Sequence, residues 1–204
     1  MPLADLNHYV RFYDNDLSAD FCRQLIASFN SLERFQKPNG RKVRAGLDES
    51  AWTELNVTRM SDQSFLQMFR QYIDRALDRY NGDIGLSIPI PNTPLISDLV
   101  IKRYRPGHEE QFQLHFDAVD FVANRYLVLM WYLNDVATGG QTRFPQLGRE
   151  IVPKAGRLLI FPPYWMYQHE GAPPQSGDKY IISTYLLFEP LKPAPKPAYS
   201  QRSR

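Results

Sequence analysis

The sequence predicts a mainly β fold preceded by two α-helices, and three observations along its 204 residues support this class. Short β-rich runs separated by Gly, Pro, Asn and Asp begin near residue 95 and continue to residue 189. Two earlier segments, residues 19–32 and 61–82, repeat apolar residues at helical spacing. No alternation of strand and helix follows. The pattern therefore indicates a β-sandwich or jelly roll and not a βαβ fold.

Each predicted helix has an apolar stripe and a recognisable boundary. The first helix takes Asp16 or Ser18 as its cap, and its stripe consists of Phe21, Leu25, Ile26 and Phe29. The second begins near Ser61 and ends at Asn81-Gly82. Its stripe consists of Phe65, Met68, Phe69, Tyr72, Ile73 and Leu77. We expect two packing helices ahead of the β region.

The segment between the helices, residues 33–56, is polar, lacks a sustained period and contains a Pro-Asn-Gly turn signal. It is predicted to be a long loop or a loose hairpin. Long stretches without regular structure in compact domains are often binding loops. This segment is therefore a candidate lid over a substrate site.

Eight runs carry the β prediction. They are LISDLVIKRY, QFQLHF, RYLVLMWYL, QTRFP, EIVP, GRLLIF, WMYQH and KYIISTYLLFE. We assign one domain to residues 1–190, with helical support and lid in residues 1–96 and the β core in residues 97–190. Residues 191–204 are Pro-rich and basic and are predicted to form a flexible tail.

The composition is that of an ordinary globular protein, with 43% hydrophobic and 23% charged residues. A formal net charge of +2 does not indicate nucleic-acid binding. No apolar run reaches the ~18 residues of a membrane-spanning helix, and residues 1–14 lack the pattern of a secretory signal. We expect a cytoplasmic protein without membrane or nucleic-acid partners. The single cysteine, Cys22, fits a small buried hydrophobe.

His115 and Asp117 form the first chemically suggestive pair. On a strand, residues i and i+2 project from the same face, about 7 Å apart along the chain. His169, in a later run, is the candidate third ligand. Two histidines and one carboxylate form the facial triad that leaves positions open on Fe(II). A three-ligand site also suits catalytic zinc in a hydrolase, and an H-x-D pair alone often occurs by chance.

Lys179 opens the hydrophobic run KYIISTYLLF, in which alternation puts Lys179, Ile181, Ser183 and Tyr185 on one face. A lysine in this position is usually a solvated edge residue. If it points into a barrel beside a metal, its ammonium needs an anionic partner. A carboxylate of a metal-bound cosubstrate is the natural candidate.

Together these residues resemble the prolyl 4-hydroxylase branch of the 2-oxoglutarate/Fe(II) dioxygenase superfamily. The matching pattern is H-F-D at residues 115–117, GGQTRFP at residues 139–145, IFPP, His169 and Lys179. The resemblance spans roughly residues 97–189. It implies a double-stranded β-helix, a jelly roll of the cupin type, braced by the two α-helices.

The resemblance also implies ligands and a reaction. His115, Asp117 and His169 would hold catalytic Fe(II), and Lys179 would bind the C5 carboxylate of 2-oxoglutarate. The cosubstrate pocket would include Tyr104, Tyr132, Thr142 and Ser183. O2 is the second cosubstrate and ascorbate a candidate reductant. Family members that halogenate lack the carboxylate ligand, so Asp117 favours hydroxylation.

The resemblance favours a prolyl residue of a peptide or protein as the substrate. Candidate substrate contacts are Arg44, Trp52, Arg125, Trp165 and Tyr185. A free amino acid or another small metabolite stays open as substrate, as does a jelly-roll binding module that has lost catalysis. A nucleobase dealkylase is disfavoured, because those enzymes carry arginine where Lys179 and Tyr185 stand. The oligomeric state is left open.

Overall fold

The computed structural model describes residues 5–92 and 95–189. In these ranges the chain forms two α-helices, α1 (Ala19–Ser31) and α2 (Gln63–Ile84). The strands are β1 (Arg11–Tyr13), β2 (Lys37–Gly40), β3 (Ala51–Asn56), β4 (Val100–Tyr104), β5 (Phe112–His115), β6 (Arg125–Tyr132), β7 (Thr142–Phe144), β8 (Arg149–Ile151), β9 (Leu158–Phe161), β10 (His169–Gly171) and β11 (Lys179–Leu187). The mainly β class with two helices is therefore confirmed.

The strands form two antiparallel sheets. The large sheet has seven strands in the order β1-β9-β6-β11-β4-β3-β2, and the small sheet has four in the order β5-β10-β7-β8. The apolar residues between the sheets come from both, with Val128, Tyr132 and Ile181 from the large sheet and Phe144 and Ile151 from the small one. The molecule is thus layered, with one face of the large sheet against the small sheet.

The helices cover the other face of the large sheet. Phe29 of α1 and Phe69 and Ile73 of α2 share one buried cluster with Trp131 of β6 and Ile182 of β11. Residue alternation along β6 and β11 separates this face from the one that meets the small sheet. Each strand therefore contributes to both cores.

The predicted cap of α1 at Ser18 is confirmed, and α2 begins close to the predicted Ser61. Ser18 accepts a hydrogen bond from the Phe21 N–H at the start of α1, and Asp62 caps α2 in the same way. The predicted end of α2 at Gly82 is wrong. The helix continues to Ile84 because Gly85, at φ 59°, provides the left-handed residue that ends it.

Three strands lie outside the eight predicted runs. Residues 33–56 form a short 3-10 helix and then the β2–β3 hairpin, which extends the large sheet through pairing of β3 with β4. The loose-hairpin alternative was therefore the right one, and only residues 41–50 form its connecting loop. β1 is three residues long and too short for a periodic signal.

The run WMYQH was also predicted as β. Trp165–Tyr167 is instead a 3-10 helix, and the strand begins at His169. The predicted tail, residues 191–204, lies outside the described residues. Cys22 is fully buried, as expected.

No helix among the described residues is long and apolar enough to span a bilayer. The domain boundaries and the cytoplasmic location stay predictions.

Candidate metal centre

Three side chains that are far apart in sequence converge between the two sheets. β5 and β10 pair so that His115 and His169 are direct cross-strand neighbours. Asp117 lies just beyond the end of β5, where its backbone N–H donates to the Pro163 carbonyl at 2.9 Å. His115, Asp117 and His169 each offer one ligand atom, and these atoms lie within 4.8 Å of one another. The predicted triad is thus brought together by strand pairing and by the FPP segment.

Hydrogen bonds set the orientation of both imidazoles. His115 Nδ1 is 2.7 Å from the Gln113 carbonyl oxygen, and His169 Nδ1 is 3.1 Å from that of Tyr167. A carbonyl only accepts, so each Nδ1 carries the proton and each Nε2 presents a lone pair. This arrangement of a backbone carbonyl behind a histidine is typical of metal ligands.

The free ligand atoms lack partners of their own. His115 Nε2 and Asp117 Oδ2 are buried without a hydrogen bond to any described residue. The Asp117 oxygens lie 3.6 Å from His115 Nε2 and 3.5 Å from His169 Nε2. Unsatisfied buried acceptors are costly, so a cation bound between them fits this donor set.

The charges of the triad match deprotonated ligands. Burial alone would raise the pKa of Asp117, but the two imidazoles and Arg125 hold it below its usual value. Burial, followed by the neighbouring His115, lowers the pKa of His169 to about 4. A carboxylate and a neutral imidazole are the forms that bind metals.

A narrow cavity of about 40 Å³ adjoins the triad and contains the Lys179 side chain. Lys179 is 3% exposed, and burial, followed by the charge of Lys102, lowers its pKa to about 7. Its Nζ lies 5.3 Å from the Tyr104 ring centroid and 5.7 Å from that of Tyr132. Lys179 therefore points inward beside the triad and is not a solvated edge residue.

The other predicted pocket residues surround the same cavity. Tyr104, Thr142 and Ser183 line it. Tyr132 lies behind Thr142, to which its hydroxyl donates at 2.6 Å. The polar wall is therefore assembled from four strands of both sheets.

The Gly-Gly turn before β7 positions this wall. A Cβ on Gly139, at φ 76°, would lie 2.4 Å from the Pro173 carbonyl oxygen. A Cβ on Gly140, at φ 74°, would contact the Lys179 side chain at 3.4 Å. The left-handed backbone conformation favours glycine at both positions, and the close packing excludes a Cβ at Gly139.

Two larger cavities open outward from the triad, and four of the five predicted substrate residues line them. Trp52, Arg125 and Tyr185 line a cavity of about 270 Å³, together with Arg44. Arg44 and Arg125 also line a cavity of about 520 Å³ beside the loop after Asp117. Trp165 does not line either one and is 63% exposed. Its predicted role in substrate binding gains no support.

Tyr185 and Arg125 also contact the triad. The Tyr185 hydroxyl donates to Asp117 Oδ1 at 2.9 Å, and Arg125 Nη1 donates to the Asp117 carbonyl at 3.2 Å. The Arg125 guanidinium stacks 3.8 Å from the Tyr185 ring centroid. These contacts hold the carboxylate at the border between the inner and outer cavities.

The sequence interpretation missed Lys102 and Gln113. Lys102 lines both the inner cavity and the 270 Å³ cavity. It lies two residues before Tyr104 on β4, so strand alternation could have placed it on the same face.

Gln113 links β5 to the loop of the β2–β3 hairpin. Its side chain accepts from Glu49 N at 3.0 Å and donates to the Gly46 carbonyl at 2.9 Å. Its backbone N–H donates to Ser50 Oγ at 2.9 Å.

Known structures share this fold at low sequence identity. A viral collagen prolyl hydroxylase from Paramecium Bursaria Chlorella virus-1, solved with 2OG, matches 89% of this chain and 97% of its own, with a TM-score of 0.62 and 22% identity. A Pseudomonas putida prolyl-4-hydroxylase matches 90% of this chain and 96% of its own, with a TM-score of 0.63 and 21% identity. A Trichoplax adhaerens prolyl hydroxylase was solved in complex with a hypoxia inducible factor peptide fragment. It matches 90% of this chain and 86% of its own, with a TM-score of 0.66 and 20% identity.

Sequence comparison relates part of the chain to known oxygenases. A provisionally named prolyl 4-hydroxylase of Acanthamoeba polyphaga mimivirus is 28% identical over 119 residues, which are 49% of this chain. The match spans about half, 47%, of that protein's length. Residues 99–187 match the model of the 2OG-Fe(II) oxygenase superfamily. The description of that family names 2OG and Fe(II), the cofactors that the sequence predicted, whereas ascorbate stays a prediction. Through residues 99–187, the chain is therefore similar to the 2OG-Fe(II) oxygenase superfamily.

Proposed function

We propose that this protein is an Fe(II)- and 2-oxoglutarate-dependent dioxygenase that hydroxylates a prolyl residue of a peptide or protein. The observation that carries the proposal is the position of one buried lysine beside one His-Asp-His cluster in a single cavity. A zinc hydrolase would have no need of the lysine. An inert binding module would have no need of either.

In this proposal His115, Asp117 and His169 hold Fe(II) through His115 Nε2, one Asp117 oxygen and His169 Nε2. Three ligands leave positions open for the cosubstrate and O2. Bound Fe(II) would activate O2, the oxidant, so that decarboxylation of 2-oxoglutarate to succinate and CO2 is coupled to insertion of one oxygen atom into a C–H bond. The chain contributes two imidazoles with Nε2 turned toward the site and one carboxylate, and the lowered pKa values of Asp117 and His169 suit a divalent cation.

Lys179 binds the C5 carboxylate of 2-oxoglutarate in this proposal. Its ammonium has aromatic rings around it and no acidic partner in the described part of the chain, so an anionic ligand would remove an unpaired buried charge. Tyr104, Thr142 and Ser183 provide neutral polar groups along the same wall. The narrow cavity keeps water away from the cosubstrate.

The two facing sheets are interpreted as the double-stranded β-helix of this superfamily, with α1 and α2 bracing the large sheet. The sheet order and the shared folds of the prolyl hydroxylases support this interpretation. The same proteins support the prolyl substrate, since the comparable structures and the mimivirus relative all carry that name. Arg44, Trp52, Arg125 and Tyr185 are the proposed substrate contacts.

The test is formation of succinate from 2-oxoglutarate by the purified protein loaded with Fe(II), with Zn(II)-loaded protein as the control. We expect succinate with iron and none with zinc. Proline-containing peptides should then be examined by mass spectrometry for the addition of one oxygen atom. Succinate formation without iron, or its absence with iron, contradicts the proposed reaction. Oxygen addition only to non-prolyl compounds contradicts the proposed substrate.

A further inference from the structure

Two lysines reach the interior of the sandwich from neighbouring strands of the large sheet. In the β4–β11 register, Lys179 pairs with Tyr104 and Ile181 pairs with Lys102. Alternation puts both lysines on the face that meets the small sheet. The charge of Lys102 contributes to the lowered pKa of Lys179, after burial itself. The proposed function uses only Lys179.

The Lys102 ammonium lies between aromatic rings. Its Nζ is 5.3 Å from the Trp52 ring centroid and 5.4 Å from that of Phe112. Within the described ranges it makes no hydrogen bond and no ion pair. Burial lowers its pKa, and the nearby Glu54 opposes that shift. Cation–π contacts stabilise an ammonium less than a carboxylate would. An anionic group bound beside Lys102 would therefore stabilise its charge further.

The acidic residues around Lys102 already have partners. Glu54 accepts from Trp52 Nε1 at 2.7 Å, and Asp98 accepts from Asn56 Nδ2 at 2.6 Å. Asp117 belongs to the triad. Among the charged side chains that line the 270 Å³ cavity, Lys102 and Arg44 are therefore the ones with neither a hydrogen bond nor an ion pair to the described residues.

Two arginines line the same cavity as Lys102. Arg125 and Arg44 line the same 270 Å³ cavity as Lys102 and continue into the larger cavity beside it. The Arg44 guanidinium has no hydrogen bond or ion pair with the described residues. A cavity of this volume is slightly below the range of about 300–1,000 Å³ for small-molecule sites. It can hold one compact acidic group next to the triad.

We propose that Lys102 binds a carboxylate of the substrate, so that the oxidised compound carries an acidic group close to the hydroxylated carbon. This inference rests on the proposed function and specifies its substrate class. 2-Oxoglutarate has two carboxylates, one assigned to Lys179 and the other to the metal. Lys102, in the wall shared by the inner and outer cavities, binds a third carboxylate, which belongs to the substrate.

Two sources of that carboxylate are distinguished by matched probes. N-acetyl-L-proline and N-acetyl-L-prolinamide differ only in an α-carboxylate. Acetyl-Asp-Pro-amide and acetyl-Asn-Pro-amide differ only in an acidic side chain beside the proline. Binding of each probe to the anaerobic protein loaded with Fe(II) and 2-oxoglutarate is measured by calorimetry, so the readout does not depend on turnover.

We expect the acidic member of at least one pair to bind about 10- to 100-fold more tightly than its neutral partner, as for a hydrogen bond to a charged group. Lys102→Met should abolish that difference, and Lys102→Arg should restore part of it. Lys37→Met removes an exposed lysine from β2 and should leave the difference in affinity between acidic and neutral probes unchanged. The pair that shows the difference identifies the source of the carboxylate.

Equal binding within both pairs, or no binding of either acidic probe, overturns the inference even if Lys102→Met fails to fold. It is also overturned if Lys102→Met weakens 2-oxoglutarate instead of the acidic probe, because Lys102 would then belong to the cosubstrate site. Failure of the proposed function is seen separately, since wild-type protein would then not bind Fe(II) and 2-oxoglutarate at all.

Discussion

The two faces of the seven-stranded sheet are made by the same strands and have opposite character. Toward the helices, β6 and β11 present Leu129, Trp131 and Ile182 to a fully apolar cluster. Toward the small sheet, β11 presents Lys179 and Ser183 to a cavity. Alternation lets one strand stabilise the fold on one side and carry chemistry on the other. Substitutions on the two faces should therefore affect different measurements.

The largest effect is expected at the triad. Asp117→Ala should reduce succinate formation to background and weaken iron retention, because it removes the charged ligand. Thermal unfolding should change little, since the carboxylate lies at the border of a cavity and not in the apolar core. The control Asp78→Ala removes an exposed carboxylate from α2. Full turnover in Asp117→Ala would refute the ligand assignment.

The opposite pattern is expected on the helix face. Phe69 is fully buried between α2 and the large sheet, in contact with the Trp131 ring at a centroid distance of 5.2 Å. Phe69→Ala should lower the free energy of unfolding by about 3–5 kcal/mol through loss of burial and a cavity. Succinate formation per folded molecule, measured well below the melting temperature, should be unchanged. A loss of activity without a loss of stability would show that the helix face of the sheet also contributes to the reaction.

Lys179→Met should raise the 2-oxoglutarate concentration needed for half-maximal turnover by about 100-fold, as expected for loss of a charge-assisted hydrogen bond. Iron retention should be unaffected, because Lys179 is not a ligand. The same change should raise the melting temperature, since it removes an unpaired buried ammonium. Equal weakening of iron and 2-oxoglutarate binding would contradict the role of Lys179.

The pH dependence of 2-oxoglutarate binding tests the same residue. The pKa of Lys179 is about 7 without an anion, and a bound carboxylate favours the ammonium and raises it. Binding therefore takes up a proton above pH 7, and affinity should fall by up to about tenfold per pH unit from there. Calorimetry in buffers of different ionisation enthalpy measures this proton uptake. A constant affinity for 2-oxoglutarate between pH 7 and 9 would exclude proton uptake by Lys179 on binding.

The smallest effect is expected from Tyr185→Phe, which removes only the hydroxyl that donates to Asp117. Groups that orient a metal ligand typically change metal affinity by about tenfold or more. We expect weaker iron binding at the lower end of that range, measured by competition with a chelator. Tyr180→Phe, on the helix face of the same strand, is the matched control. An equal effect of both changes would show that the site does not depend on the Asp117 contact.

The sequence was most informative where local spacing and chemistry coincide. His115, Asp117, His169 and Lys179 were singled out because their spacing coincides with the resemblance to the prolyl 4-hydroxylase branch, and the structure brings them together around one cavity. The strands of the β2–β3 hairpin could not be predicted, because pairing with β4 depends on tertiary contacts that no periodicity records. The end of α2 was misplaced because two glycines are close together, and only Gly85 adopts the left-handed conformation.

Lys102 and Trp165 show the limits of interpreting single side chains. Lys102 was overlooked although its strand neighbour Tyr104 was assigned to the site, because lysine in a strand is usually solvated. Trp165 was assigned to the site on residue type and lies at the surface instead. In both cases the direction in which the side chain points decides whether it reaches the site. Residue type alone does not predict that direction.

Gln113 forms hydrogen bonds both to the loop of residues 41–50 and to the candidate metal site. Its carbonyl orients His115, while its amide group fastens Gly46 and Glu49 of the loop that borders the outer cavities. Displacement of that loop would break hydrogen bonds to Gln113, whose carbonyl oxygen orients the proposed iron ligand His115. We therefore expect a substrate that moves the loop on binding to change the orientation of this imidazole.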